Sequence, residues 1–324
     1  MSYRWRTTIY IKINTNQNTR LRLRMKLHIT LALLFSTLFI NNVYADNVNE
    51  KTCDQALEKG DVAGALTAAN KALSFNSRDK DTLICQGRAF SAQGELNKAL
   101  AAFSTSAKLT KDPFDQTIIA LVTGQAYKAA KQNEVAIASF EKSINFAKVA
   151  NNQAFVRINQ NAIGDIYFEN KQFNQALAQY LAGSKLANND NERGESFERV
   201  ALTYHTLQQH DKALEYQLKA YLMHEQVGTL DQLAHSSIEL GHYYTMVKSY
   251  VSAERTLNKI IKLAKEQGGA YYEAQGSYML AKVKVAIGDI PEAKALVEHA
   301  KSIAKTTNDK ALAEEIEQET HDLY

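Results

Sequence analysis

Apolar positions along this chain recur at helical spacing, and small residues recur among them in fixed places. The clearest stretch runs Leu83, Gly87, Phe90, Gly94, Ala99 and Phe103. It predicts one helix with a small residue and then an aromatic three positions on, a short turn, and a second helix bearing Ala before a bulky apolar residue. The same order returns as Gly124, Tyr127, Ala136, Phe140, and as Gly164, Tyr167, Ala176, Tyr180. It continues as Ala201, Tyr204, Ala213, Ala220, and as Gly241, Tyr244, Ala253, Leu257. Fainter copies lie at either end: Cys53, Ala56, Gly60, Ala65, Ala69, Ala72, and Ala281, Gly288, Ala293, Val297, Ala300.

The pattern has a packing reason. Small residues at Gly87, Ala99 and Ser106 let two antiparallel helices approach closely, while Leu83, Phe90 and Phe103 fill the space toward the next pair. One pair cannot bury this face alone, so neighbours must stack. The matching positions Cys53, Gly87, Gly124, Gly164, Ala201, Gly241 and Ala281 fall 34, 37, 40, 37, 40 and 40 residues apart. The extra residues lengthen both helices by almost one turn, which takes about 3.6 residues.

These residues resemble the tetratricopeptide repeat, in the long-repeat form of about 40 residues found in peptide receptors and in regulatory or sensory scaffolds. The resemblance implies an all-α, right-handed superhelical solenoid of about seven antiparallel helix pairs over residues 46–308. A capping helix follows over 309–324, with Ala311, Leu312 and Ile316 on one side and Glu314, Glu315, Glu317 and Glu319 solvating the other. Turns within pairs are expected at Lys59-Gly60-Asp61, Gln93-Gly94-Glu95 and Gly288-Asp289. Turns between pairs are expected at Asn188-Asn189-Asp190-Asn191 and Thr307-Asn308-Asp309, and Pro291 fits the first turn of a helix.

Composition agrees with long helices: 45% of the 324 residues are hydrophobic, with two prolines and 14 glycines. The net charge of +3 needs correcting for the N-terminus, where residues 1–45 hold seven Lys or Arg and no Asp or Glu. Removing them leaves 31 basic against 35 acidic residues, a net charge of −4 (31 minus 35). That balance removes the electrostatic basis for nucleic-acid binding.

Residues 1–45 read as a leader and signal peptide. Met25 and Lys26 precede an apolar run from Ile29 to Ile40, which ends in Val43-Tyr44-Ala45 before Asp46. This is the order of a secretory signal with cleavage after Ala45, and the run is too short to span a bilayer comfortably. The basic stretch before Met25 points to translation starting at Met25. The expected location is therefore periplasmic or secreted, with no membrane span after cleavage.

Motifs of catalysis are missing: no CxxC, phosphate-binding loop, GxSxG or dinucleotide glycine pattern occurs. His224-Glu225 begins like a zinc-protease motif, but Gly228 stands where the second His belongs. The chain is read as a non-enzyme with no cofactor and no metal. His235 and His242 share one helix face about 10 Å apart along the axis, too far for one metal to bridge easily. Cys53 and Cys85 lie on the first helices of adjacent repeats. Export permits a disulfide between them, whereas the small-residue packing slot at Cys53 favours a reduced, buried pair.

A partner's place follows from the resemblance, because the first helix of each pair lines the inner surface that such proteins use. Repeat phase puts Arg88, Gln125, Lys128, Asn161, Asp165, Phe168, Arg199, Leu202, His205, His242 and Lys282 on that lining. Glu50, Asp54 and Cys85 occupy the places where the chaperone-adaptor members of the family clamp a C-terminal carboxylate, so that specificity is not expected. The implied partner is a protein or extended peptide, bound by an exported scaffold in envelope assembly or signalling. The alternative is a receptor domain for a short peptide or small-molecule signal, acting through a separate partner.

Overall fold

A computed structural model describes residues 52–323, and within them every regular element is an α-helix. The expected leader, signal peptide and cleavage site lie outside the described residues. Two compact units divide the chain, residues 1–136 and 137–324. The first contains α1 (52–58), α2 (Val62–Phe75), α3 (Lys80–Ala92), α4 (Leu96–Leu109) and α5 (Pro113–Ala129). The division falls in the first turn of α6 (Asn133–Val149). The second unit continues with α7 (Gln153–Glu169), α8 (Phe173–Ser184), α9 (Asp190–Thr206), α10 (His210–Val227) and α11 (Leu230–Met246). It ends with α12 (Tyr250–Gln267), α13 (Ala270–Ala286), α14 (Ile290–Thr306) and α15 (Lys310–Thr320).

The turn inside each pair repeats one geometry. Residues Gly60, Gly94, Lys131, Lys171, Gln208, Lys248 and Gly288 all have positive φ, and their spacing of 34, 37, 40, 37, 40 and 40 matches the sequence phase. In each case the helix ends in a left-handed residue whose successor's N–H returns to a carbonyl five positions back: Gln172 N donates to Tyr167 O at 2.8 Å and Ser249 N to Tyr244 O at 2.8 Å. Three of these turns use glycine, as expected. Four place Lys or Gln in a conformation that costs about 1 kcal/mol or more for a residue with a Cβ.

Longer repeats do come from longer helices. α3 and α4 have 13 and 14 residues, while α5, α7, α9, α11 and α13 have 17 each. α8 is the exception at 12 residues. It stops at Gly183 and Ser184, both weak helix formers. The polar stretch after it does not stay a turn, because Asn189 caps α9 by accepting from Glu192 N, and Asp190 and Asn191 enter the first turn of that helix.

Small residues sit where helices cross. The ring of Tyr180 lies so close over Gly164 that a Cβ there would meet it at 2.5 Å, and the same holds for Leu257 over Gly241 at 2.6 Å. Phe103 covers Gly87 in the first unit. Around these crossings the core alternates Ala with large residues: Ala99 with Phe103, Ala176 with Tyr180, Ala253 with Leu257 and Ile260. The last helix packs Leu312, Ile316 and Thr320 inward, whereas Ala311 is exposed. Its acidic residues are not all solvating, since Glu315 and Glu319 bond back to α13. Among the described residues no helix is long and apolar enough to cross a membrane.

Cys53 and Cys85 are bonded, with Cα atoms 6.4 Å apart, which corrects the reduced reading. The packing slot at Cys53 and the bridge are compatible, because both sulfurs lie in one buried cluster with Ala65, Ala68, Ala69 and Ala89. The bridge ties α1 to α3 across a separation of 32 residues. Closing such a loop contributes about 3–4 kcal/mol by restricting the unfolded chain. Reduction should therefore lower the melting temperature and release α1 first. Thiol counting in denaturant without reductant should find no free thiol, and two free thiols would show that the bridge is absent.

Candidate functional site

Within each unit, first helices of neighbouring pairs are joined side to side by polar residues. In the first unit Arg88 Nη1 on α3 donates to Asp54 Oδ1 on α1 at 2.7 Å, and Lys80 Nζ reaches Asp115 Oδ1 on α5 at 2.9 Å. In the second unit Arg199 on α9 lies 3.5 Å from Asp165 on α7, and Gln232 Nε2 on α11 donates to Glu195 Oε1 on α9 at 3.3 Å. The rings of His205 (α9) and His242 (α11) stand 5.2 Å apart, edge to face. Lys282 Nζ on α13 meets Glu319 on α15 at 2.6 Å, and Tyr278 Oη donates to Glu315 at 2.7 Å. These contacts form a ladder with rungs one repeat apart.

Core packing sets the rungs. Tyr180 belongs to α8, yet its ring crosses α7 at Gly164 and its hydroxyl donates to Asp165 Oδ1 at 2.7 Å. The carboxylate so held is the one that faces Arg199. Burial and the Asp165 charge together push the Tyr180 hydroxyl's pKa well up, so it remains a donor. A capping box acts likewise on α11: Thr229 accepts from Gln232 N while Gln232 Oε1 accepts from Thr229 N, leaving Gln232 Nε2 for Glu195.

The lining residues expected from sequence fall into three groups. Arg88, Asp165, Arg199, His205, His242 and Lys282 are rungs of the ladder. Gln125 is exposed and Lys128 half-buried on α5. Asn161 and Leu202 are buried, and Phe168 packs edge-on against Phe173 with centroids 5.2 Å apart, toward the second helix of its own pair. The face is thus less open than repeat phase implies, with several of its charges already paired inside the protein.

A buried acid and base escaped the sequence reading. Glu198 on α9 and His224 on α10 approach to 3.5 Å, and the imidazole lies against Gly194, where a Cβ would meet it at 2.6 Å. Neither His224 nitrogen has a hydrogen-bond partner within the protein, nor does Glu198 Oε1. Burial pushes Glu198 up to about 7 against the pull of His235 and Ser236, and burial with His235 pushes His224 down to about 4. His224 is therefore neutral at pH 7. Its neighbour Glu225 points elsewhere, to Tyr221 and Lys259, which removes the zinc-protease resemblance of that dipeptide. No hydrophobic or spacing signal marks Glu198, because it occupies an inner-helix position that reads as solvated.

The pH consequence has a definite sign. A carboxyl raised from 4.5 to about 7 binds more protons folded than unfolded between those values, so its contribution to stability is full below pH 4.5 and is lost as pH rises through 7. Glu198→Gln, neutral at every pH, should be more stable than the wild type by about 1–3 kcal/mol at pH 8, the gain shrinking toward pH 5. Urea denaturation at the two pH values checks this. An equal offset at both would show that Glu198 is not held protonated by burial.

Comparison with known proteins places this geometry. Residues 194–224, covering most of α9 and most of α10, match the family described as tetratricopeptide repeat. No curated protein is similar enough in sequence to match. Among solved structures, the apo form of RapI superposes with a TM-score of 0.66 at 13% identity, over 84% of this chain and 80% of that one. A signal-transduction ATPase of Pyrococcus horikoshii with a tetratricopeptide repeat sensor gives 0.70 at 16%, over 84% of this chain and 44% of that one. The C-terminal part of a repeat-containing protein from Cytophaga hutchinsonii gives 0.57 at 12%, over 82% and 98%. At these identities the likeness is one of fold.

Proposed function

We propose that this chain, whose residues 194–224 match the tetratricopeptide repeat and whose fold is one that generally mediates protein–protein interaction, is an exported scaffold. It holds a protein or extended peptide against the face lined by its first helices, in envelope assembly or signalling. The observation that carries this reading is the ladder of the second unit. Its polar side chains are fixed by one another before any partner arrives, so little ordering cost remains at binding. Mixed polarity along a row of helices suits an extended peptide, whose side chains and backbone both need partners. The signal-like pattern before Asp46 supports export, and so does the Cys53–Cys85 bridge, which persists in oxidising compartments.

The test is affinity capture from the envelope fraction with the full chain, together with the intact mass of the exported protein. The expected results are a mature chain starting at Asp46 and one stoichiometric protein partner. Binding should fall about tenfold, roughly 1.4 kcal/mol, on Glu195→Lys or Asp165→Lys, with hydrogen-exchange protection of α13 to α15 unchanged. A partner indifferent to these changes contradicts the assigned face. A small ligand that raises the melting temperature with no protein partner would transfer the assignment to a receptor domain.

A further inference from the structure

Three imidazoles from three helices meet where α9 turns into α10. His205 sits in the last turn of α9, His210 is the first residue of α10, and His242 projects from α11. His205 Nδ1 and His210 Nδ1 face each other at 3.2 Å, so one must carry a proton and the other a lone pair. The His205 ring is also 5.2 Å from the rings of His242 and Tyr243. Protonating both His205 and His210 would point two N–H groups at each other, and charging His242 as well would put three cations in ring contact.

The surroundings offer little to offset such charge. The charged groups that act on the cluster are Glu239 on α11, Lys282 on α13 and Glu319 on α15. Lys282 and Glu319 are paired with each other at 2.6 Å, so their fields largely cancel and Glu239 is left alone against up to three positive rings. Burial, the first cause for both, holds His205 and His242 below the usual histidine value, and the neighbouring imidazoles add to it.

We propose that His205, His210 and His242 form an acid-sensitive joint between the α9–α10 pair and α11, closed when the rings are neutral and loosened when they charge. The sign follows from the depressed folded-state values. The opened form binds more protons, so the joint's contribution is full above about pH 6.5 and is lost as pH falls below it. His205 and His242 also belong to the face assigned to a partner, so acid would weaken the partner's hold. That consequence rests on the proposed function, whereas the joint does not.

Hydrogen exchange followed by mass spectrometry on the full chain, without any partner, tests the joint alone. With intrinsic rates corrected, opening around residues 200–212 and 238–246 should increase about tenfold for each unit of depressed pKa between pH 7.5 and 5.5. His210→Asn, which keeps a residue favoured at a helix start, and His242→Gln should each abolish most of the difference in exchange between pH 7.5 and 5.5. His224→Asn, remote from the ring cluster, should retain it. Histidine ring NMR titration of the wild type gives a second reading, with His205 and His242 expected below the usual histidine value. Unchanged exchange on acidification, an acid response in both cluster variants equal to that of the wild type, or His205 and His242 titrating at the usual histidine value would overturn the proposal.

Discussion

Tyr180 lies across α7 because residue 164 carries no side chain. That single close approach does two things. It brings α8 down on α7 so that Ala176 and Tyr180 fill the core with Val200, and it carries the Tyr180 hydroxyl to Asp165. Asp165 in turn faces Arg199 of the next pair. The packing of one repeat thus orients the polar rung that joins it to its neighbour. Phe103 over Gly87 and Leu257 over Gly241 are the same device elsewhere in the chain. Overpacking at such a crossing costs about 1–3 kcal/mol, because the neighbouring ring has nowhere to go.

Stability and binding therefore draw on the same side chains. Charges that a free surface would offer to a partner are in large part paired between first helices, and what they gain is position. A surface of fixed polar groups recognises by geometry rather than by gross charge, which agrees with the near balance of acids and bases outside the N-terminus. The histidine-rich region differs from the remaining rungs. There the lateral contact is made by imidazole rings, and the same helix pair holds, farther along, the buried Glu198–His224 pair whose two members shift in opposite directions.

Much of the fold was legible because it is written by residue size at a fixed period. Glycines and aromatics at 87, 90, 164, 167, 241 and 244 mark phase directly, and the left-handed turn residues fall in that same phase. Where the signal failed, the reason is physical. Lys131, Lys171, Gln208 and Lys248 occupy turns that glycine would advertise, since hydrogen bonding around the turn tolerates a strained residue that composition does not reveal. The expected lining residues lie on first helices, but their pairing was missed. Rungs of the second unit join residues 34 or 37 apart, as in Asp165–Arg199 and His205–His242, about one helical turn short of the local repeat of 37 or 40. A comparison at equal phase passes over them. The cysteines were undecided because spacing alone does not say whether two small, buried residues on adjacent helices face each other.

A close helix crossing sets the lateral ladder, and the other contacts follow from that dependence. Gly164→Val with hydrogen exchange across the whole chain measures it directly. The prediction is lost protection in α7, α8 and the facing turns of α9, with α13 to α15 unchanged and the Tyr180 hydroxyl no longer held by Asp165. Uniform loss of protection throughout the second unit, or a variant as well protected as the wild type at α9, would contradict it.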